Sequence, residues 1–209
     1  MARNICQKCQ RPERACICLF ICAIENDINI VVLQHPSEVS QSKGTVTLLS
    51  NSLRRCRVIV GENFTDNSEL NELLVRFKKN IHLLYPSEKA RILSSAKQHI
   101  KSTEPSCLLV IDGTWKKSYR MYMLSENLHD IPHLALPEGI ESLYQIRKTK
   151  KENALSTLEA CSHALSIMED TTDKYQDLIN NFIKFNDFQL SFNIANNSVT
   201  NQIKKNTKE

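Results

Sequence analysis

Residues 107–115 read Cys-Leu-Leu-Val-Ile-Asp-Gly-Thr-Trp, an apolar run that stops at an acidic residue and a glycine. The run Cys107–Ile111 predicts a strand, and 112–115 predict a turn that leads directly into a helix. Other apolar runs predict strands at 28–33, 57–60, 81–85 and, more weakly, 133–136. Apolar spacing and capping residues predict helices at 68–79, from Ser87 to about residue 101, after Ser156, and around 175–183. This alternation favours an α/β domain with a mainly parallel sheet flanked by helices.

The chain divides by composition into three parts. Residues 1–25 are dense in cysteine, 26–192 carry the alternating pattern, and 193–209 are rich in Asn, Thr and Lys, which predicts a disordered tail. The sequence has no run of about 18 apolar residues, so we expect no membrane span. Its charged, cysteine-containing start lacks the apolar stretch of a secretory signal, and we therefore expect a cytoplasmic protein.

Four cysteines near the N-terminus form two close pairs. Cys6 and Cys9 are a Cys-x-x-Cys, and Cys16 and Cys18 follow as a Cys-x-Cys. Two such thiolate pairs can surround one tetrahedral zinc ion, with zinc–sulfur distances of about 2.3 Å. A redox Cys-x-x-Cys is the alternative, but that motif normally opens the helix of a βαβ unit, which is not predicted here. In a reducing compartment the spacing predicts a structural zinc knuckle, with Cys22 able to replace one ligand.

Polar turns follow three of the predicted strands, at 34–38, 85–88 and 112–115. In open α/β sheets, ligands bind where strands end and helices begin. A helix cap is the alternative interpretation of each turn, and it is least favoured at Asp112, because the only Trp and one of the four glycines share that turn. The glycines form neither G-x-G-x-x-G nor a P-loop, which excludes the common glycine-rich phosphate sites.

Basic residues are more informative by placement than by number. Lys and Arg exceed Asp and Glu by 27 − 23 = 4, which is too few to indicate a nucleic-acid partner. Three basic clusters stand beside segments that look functional, namely Arg54, Arg55 and Arg57; Lys116, Lys117 and Arg120; and Arg147, Lys148, Lys150 and Lys151. Charge runs are usually solvated surface, but the three together favour a site for a polyanion.

These motifs together resemble the DTW-domain family of tRNA-uridine aminocarboxypropyltransferases. The family's Asp-x-Thr-Trp signature matches 112–115, its His-Pro-x-Glu segment matches 35–38, and its Leu-Ser-Thr-Leu-Glu-Ala block matches 155–160. Its N-terminal Cys-x-x-Cys, Pro and Cys-x-Cys pattern matches Cys6, Cys9, Pro12, Cys16 and Cys18. The resemblance spans roughly residues 5–170, with one departure at Ser42-Lys43-Gly44-Thr45, where the family pattern has an Asn-Thr pair ahead of the glycine.

The resemblance implies a fold related to the knotted SPOUT-type RNA methyltransferases, with a C-terminal knot and a bent S-adenosylmethionine bound among the loops there. The implied cofactor-binding residues are Tyr85, Pro86, Ile111, Asp112, Gly113, Leu136, Pro137, Ser156 and Thr157. The candidate catalytic residues are Asp112 as general base, Thr114, and Trp115 as a surface on which the target uracil could stack.

The implied reaction transfers the aminocarboxypropyl group of S-adenosylmethionine to N3 of a tRNA uridine and releases 5′-methylthioadenosine. The candidate contacts to the tRNA backbone are Lys116, Arg120, Arg147, Lys148, Lys150 and Lys151. Two other functions stay open, an S-adenosylmethionine-dependent RNA methyltransferase and a non-catalytic zinc-containing RNA-binding module. The sequence leaves the oligomeric state undetermined.

Overall fold

A computed structural model describes residues 4–41, 44–94, 105–143 and 155–206, with side chains as far as residue 191. Within these ranges the chain forms a six-stranded parallel sheet in the order β2-β1-β5-β3-β6-β4. The strands are β1 (Asn29–Gln34), β2 (Cys56–Val60), β3 (Ile81–Leu84), β4 (Arg91–Ile92), β5 (Cys107–Asp112) and β6 (His133–Ala135). The predicted α/β fold with a parallel sheet is confirmed.

Helices cover both faces of the sheet. The α-helices are α1 (Val46–Ser52), α2 (Ser68–Phe77), α3 (Trp115–Leu124), α4 (Thr157–Met168) and α5 (Gln176–Asn206). Successive side chains of β1 point to opposite faces, so that Ile30 and Val32 pack with α1, α4 and α5 while Val31 and Leu33 pack with α2 and α3. The central strands are therefore buried on both sides, as their continuous apolar sequences require.

The segment after β3 differs from its prediction. The sequence predicts a helix from Ser87 to about residue 101, of which residues 95–101 lie outside the described residues. In the described part, Arg91–Ile92 instead form β4 at the edge of the sheet, beside β6. The backbone N–H of the following Leu93 continues this pairing by donating to the carbonyl of Ala135 at 2.8 Å. Pairing with the free edge of the sheet outweighs the helical spacing of the apolar residues in this segment, because helix propensity contributes little free energy per residue.

The C-terminal helix α5 is longer than the sequence indicates. Composition predicts a disordered tail over 193–209, whereas α5 continues to Asn206. Neither glycine nor proline occurs between Gln176 and Asn206, so no residue of this stretch interrupts the helical backbone.

The C-terminal knot implied by the resemblance depends on the path between Leu143 and Leu155, which lies outside the described residues, and it stays a prediction. In the part of the chain that the structure describes, none of the helices combines the length and apolar composition that crossing a membrane requires.

Candidate active site and metal centre

The carboxyl ends of the central parallel strands meet at one edge of the sheet, where the predicted site residues converge. The last pair in the β1–β5 register is Gln34 with Asp112, so their side chains leave the sheet next to each other. The neighbouring strands β3 and β6 end at the same edge and lead to Tyr85 and Leu136. The sheet thus brings residues from four separate segments of sequence to one location.

Both carboxylate oxygens of Asp112 accept a hydrogen bond from another element. Thr157 Oγ1 donates to Asp112 Oδ1 at 2.5 Å, and Gln34 Nε2 donates to Oδ2 at 3.0 Å. The carboxylate therefore links β1, β5 and the first turn of α4. Gln34, which is 7% exposed, is not predicted as a site residue, because only the strand register brings it beside Asp112.

Thr114, and not Asp112, caps helix α3. The Thr114 side chain accepts from the backbone N–H of Lys117 at 3.4 Å, which makes the helix-cap alternative for Asp112 wrong. Gly113 allows the chain to turn closely here, since a Cβ at this position would lie 3.2 Å from the Cβ of Lys117 and 3.4 Å from Ser118 Oγ. The turn therefore leaves the Asp112 carboxylate available for contacts across the sheet edge.

Helix α3 presents the predicted base-stacking and phosphate-contacting residues on its surface. Trp115 is 46% exposed, and Lys116 and Arg120 are also exposed. Arg120 Nε donates to Glu62 Oε1 at 2.7 Å. Lys117 instead reaches the turn after β1, where its Nζ donates to Ser37 Oγ at 2.6 Å and to Glu38 Oε1 at 2.7 Å. Of the three basic residues on α3, Lys116 and Arg120 are thus exposed cations, whereas Lys117 binds the turn after β1.

A group of aromatic rings surrounds Tyr85. Its ring stacks on Tyr122 of α3 with the centroids 5.3 Å apart, and His133 meets the Tyr85 ring edge-on at 5.7 Å. Burial raises the pKa of Tyr85, and the nearby Tyr122 and Tyr119 hydroxyls add to this effect. Burial also lowers the pKa of His133, with a smaller contribution from Lys89. Tyr85 is therefore held in a fixed orientation at the strand end.

The turn after β3 contains a second correction to the prediction. The sequence predicts Ser87 as the cap of a helix, but its hydroxyl bonds to His133 Nδ1 at 2.7 Å. The preceding Pro86 is exposed. Ser87 thus fixes the turn to β6 instead of starting a helix.

The start of α4 has the predicted capping box. Ser156 Oγ accepts from the backbone N–H of Glu159, and a Glu159 carboxylate oxygen accepts from the backbone N–H of Ser156 at 2.7 Å. Glu159 is 1% exposed, and it also accepts from Ser142 Oγ at 3.1 Å and from the backbone N–H of Leu143 at 2.6 Å. This single buried carboxylate therefore ties the segment after β6 to the segment that precedes Thr157.

The remaining predicted site residues lie in β5, after β6 or outside the described residues. Leu136 and Pro137 follow β6 and are half-buried, and Ile111 is buried in β5 immediately before Asp112. The basic residues Arg147, Lys148, Lys150 and Lys151 lie outside the described residues.

The N-terminal cysteines form a compact group with the donor set of a zinc site. The sulfur atoms of Cys6, Cys9, Cys16 and Cys18 all lie within 4.8 Å of one another, and Cys22 is not a member of the group. Backbone N–H groups of Cys9 and Lys8 lower the pKa of Cys6 to about 6, whereas burial and the neighbouring thiols raise the pKa of Cys18, so Cys6 is the thiol of this pair that loses its proton more readily. Four thiolates would fill the tetrahedral coordination of zinc and leave no open position, so the residues fit a structural ion.

The knuckle packs against the main domain. Cys9 and Ile17 are buried in the same apolar core as α4 and α5. Arg11 Nη2 donates to the carbonyl of Gly44 at 3.2 Å, and its guanidinium carbon lies 5.7 Å from the ring centroid of Phe185 on α5. A metal ion held by these thiols would therefore also stabilise the contact between the knuckle and α5.

Comparison with known proteins agrees with the motifs. The sequence matches the DTW domain family over residues 3–190. It is 29% identical over 194 residues to tRNA-uridine aminocarboxypropyltransferase 2 of Macaca fascicularis and 28% identical over 194 residues to the protein of that name from Mus musculus. These alignments cover 90% of this chain and 64% of each relative, so the chain spans about 64% of their length. A Drosophila melanogaster protein of the same name is 32% identical over 182 residues, 85% of this chain and 71% of its own length.

Proposed function

This chain belongs to the DTW domain family, and from that membership we propose that it is a tRNA-uridine aminocarboxypropyltransferase. The donor we propose is S-adenosylmethionine, and the acceptor is N3 of a tRNA uridine. The three related proteins described above carry this activity in their names. The observation in this chain that supports the proposal best is the Asp112 carboxylate, held between Gln34 and Thr157 where the strand ends meet.

The proposed reaction forms one bond and breaks one. Uridine N3 attacks the methionine Cγ of the donor, the Cγ–sulfur bond breaks, and 5′-methylthioadenosine leaves with the electron pair of that bond. Uridine N3 is a weak nucleophile until it loses its proton, so a carboxylate beside it can act as general base. Asp112 is our candidate, because a carboxylate oxygen that accepts one hydrogen bond keeps capacity for a second.

The surroundings of Asp112 would keep the base in place during the reaction. Thr157 is the first residue of α4, and the positive end of a helix dipole favours a negative charge beside it. Gln34 donates from the other side, so rotation of the carboxylate would break at least one of two hydrogen bonds. We assign Asp112 to proton removal and Gln34 and Thr157 to its positioning.

The remaining candidate residues divide between donor and RNA. Our proposed donor-binding residues stand at the ends of β3, β5 and β6 or at the start of α4, and they are Tyr85, Pro86, Ile111, Gly113, Leu136, Pro137 and Ser156. Thr114 and Trp115 begin α3 beside them, and Trp115 is proposed to stack the target uracil. Lys116 and Arg120, with the 147–151 cluster, are proposed to contact tRNA phosphates. The four-cysteine knuckle is proposed to hold a structural zinc ion. We propose a cytoplasmic enzyme, since thiols stay reduced in that compartment and can bind zinc.

The test is to identify the by-product of the donor. Protein incubated with labelled S-adenosylmethionine and unmodified tRNA should release 5′-methylthioadenosine, and mass spectrometry should find the added group on uridine. Release of S-adenosylhomocysteine would identify a methyltransferase instead. Binding of tRNA without either by-product would favour a non-catalytic module.

A further inference from the structure

The outer face of helix α3 carries an exposed row of large side chains. Trp115, Tyr119 and Met123 are four residues apart, which puts them in one row along a helix. Their exposed fractions are 46%, 59% and 50%, while Ser118 and Met121, which lie outside this row, are buried. Single exposed apolar residues are ordinary, but a contiguous row of three indicates a surface that another molecule covers.

Two cations lie beside this row. Lys116 and Arg120 each follow a member of the row by one residue, so they form a parallel row on the same exposed face. Lys116 forms no ion pair among the residues that the structure describes. Arg120 pairs with Glu62, and the side chains are 65% and 39% exposed. Water reaches the Arg120 guanidinium, and an ion pair in contact with water contributes little, so Arg120 can exchange Glu62 for a phosphate.

The row also begins at the proposed active site and is held in place there. Trp115 comes three residues after Asp112, and α3 runs outward from that point. Tyr122, which lies two turns further along α3, stacks at 16° on Tyr85 at the strand end. The helix is therefore fixed to the sheet edge, with the start of its outer face beside the proposed active site.

We propose that the outer face of α3 is a platform for single-stranded RNA, on which the target uracil stacks against Trp115 and the unpaired bases beside it stack against Tyr119 and Met123. Lys116 and Arg120 contact the phosphates between those bases. A residue four positions further along a helix lies about 6 Å along its axis, which allows neighbouring unstacked bases to take successive places. Duplex RNA would not fit, because its bases already stack on one another and do not present their faces. This inference rests on the proposed function for the identity of the RNA.

Trp115 is the only tryptophan of the chain, so tryptophan fluorescence reports on this face of α3 alone. A short single-stranded oligouridylate should quench the fluorescence of Trp115 saturably, and a duplex RNA of the same length should quench it much less. Tyr119→Ala should weaken binding of the oligouridylate and of unmodified tRNA by about 5- to 140-fold, which is the usual loss for one base–aromatic stack. Tyr119→Phe keeps the ring and should stay within a few-fold of wild type.

The control is Val75→Ala, which shortens an exposed apolar residue on α2 and should change neither affinity. Equal affinities for wild type and Tyr119→Ala, or equal quenching by duplex and single strand, would overturn the platform. So would a Tyr119→Ala protein that binds RNA normally but sediments as a smaller species, since the face would then join two copies of the chain.

The by-product assay separates this inference from the proposed function. If no donor is consumed while the oligouridylate still binds through Tyr119, the platform stands and the proposed enzyme activity does not. If 5′-methylthioadenosine is released with tRNA and Tyr119→Ala changes neither the KM for tRNA nor its affinity, the activity stands and the platform is wrong.

Discussion

Replacement of Asp112 by asparagine separates a catalytic carboxylate from a structural one. In the Asp112→Asn variant, the new amide oxygen can still accept from Gln34 Nε2. The amide N–H₂ can donate to Thr157 Oγ1, because a threonine hydroxyl can accept as well as donate. Both neighbours therefore keep a partner without moving. What is lost is the charge that strengthens two hydrogen bonds of 2.5 Å and 3.0 Å.

The structural cost follows from that difference. A hydrogen bond to a charged group contributes about 1.5–3 kcal/mol and a neutral one about 0.5–1.5 kcal/mol, so Asp112→Asn should cost roughly 1–3 kcal/mol of unfolding free energy. Loss of a positioned general base should lower the transfer rate by about 10²–10⁴-fold. That corresponds to about 3–5 kcal/mol in the barrier. The variant should thus be folded and almost inactive.

The assay is a single-turnover rate of transfer to tRNA, with saturating S-adenosylmethionine, measured for both proteins across pH. Rising pH removes the N3 proton of uridine without help, so the Asp112→Asn rate should recover partly at alkaline pH while the wild-type rate changes less. Thr157→Val is the matched control, because it removes one hydrogen bond to Asp112 and keeps the carboxylate. It should slow transfer less and show no alkaline recovery. If Asp112→Asn stays within a few-fold of wild type at every pH, Asp112 is not the base.

Three further predictions concern the metal, the α4 capping box and pH. Wild-type protein kept reduced should hold close to one zinc ion. The Cys9→Ser variant should lose the ion and show faster hydrogen exchange in the knuckle, while the sheet stays folded. Wild-type protein that contains no metal would contradict this prediction. Glu159→Gln should lose about 1–3 kcal/mol in urea unfolding, because the new amide N–H₂ must face either the buried Ser156 N–H or the part-buried Leu143 N–H and leave that donor unpaired. The control Glu72→Gln changes an exposed residue and should be neutral. Burial lowers the pKa of His133 in the folded state from its usual 6.5, so the unfolded chain takes up the proton first and the free energy of unfolding should fall as pH drops below about 6.5. His133→Asn should lose less stability over that range. Identical stability–pH profiles for the two proteins would refute the prediction.

The sequence by itself determined the features that depend on neighbouring residues. Apolar runs such as Cys107–Ile111 place the strands, because the backbone of a buried strand needs apolar side chains on both faces. The capping box at Ser156 and Glu159 depends on a spacing of three residues, and the four thiols of the knuckle lie within one short segment. These patterns have local physical causes, so they can be read without knowledge of the fold.

Tertiary structure alone decided which distant residues meet. Thr157 and Gln34 contact Asp112 across 45 and 78 positions of sequence, and only strand order and register bring them together. The segment after β3 carries a helical spacing, yet Arg91–Ile92 pair with β6, because the sheet offers an unpaired edge there. Local propensity amounts to fractions of a kcal/mol per residue, and the hydrogen bonds and burial available at a sheet edge can exceed it.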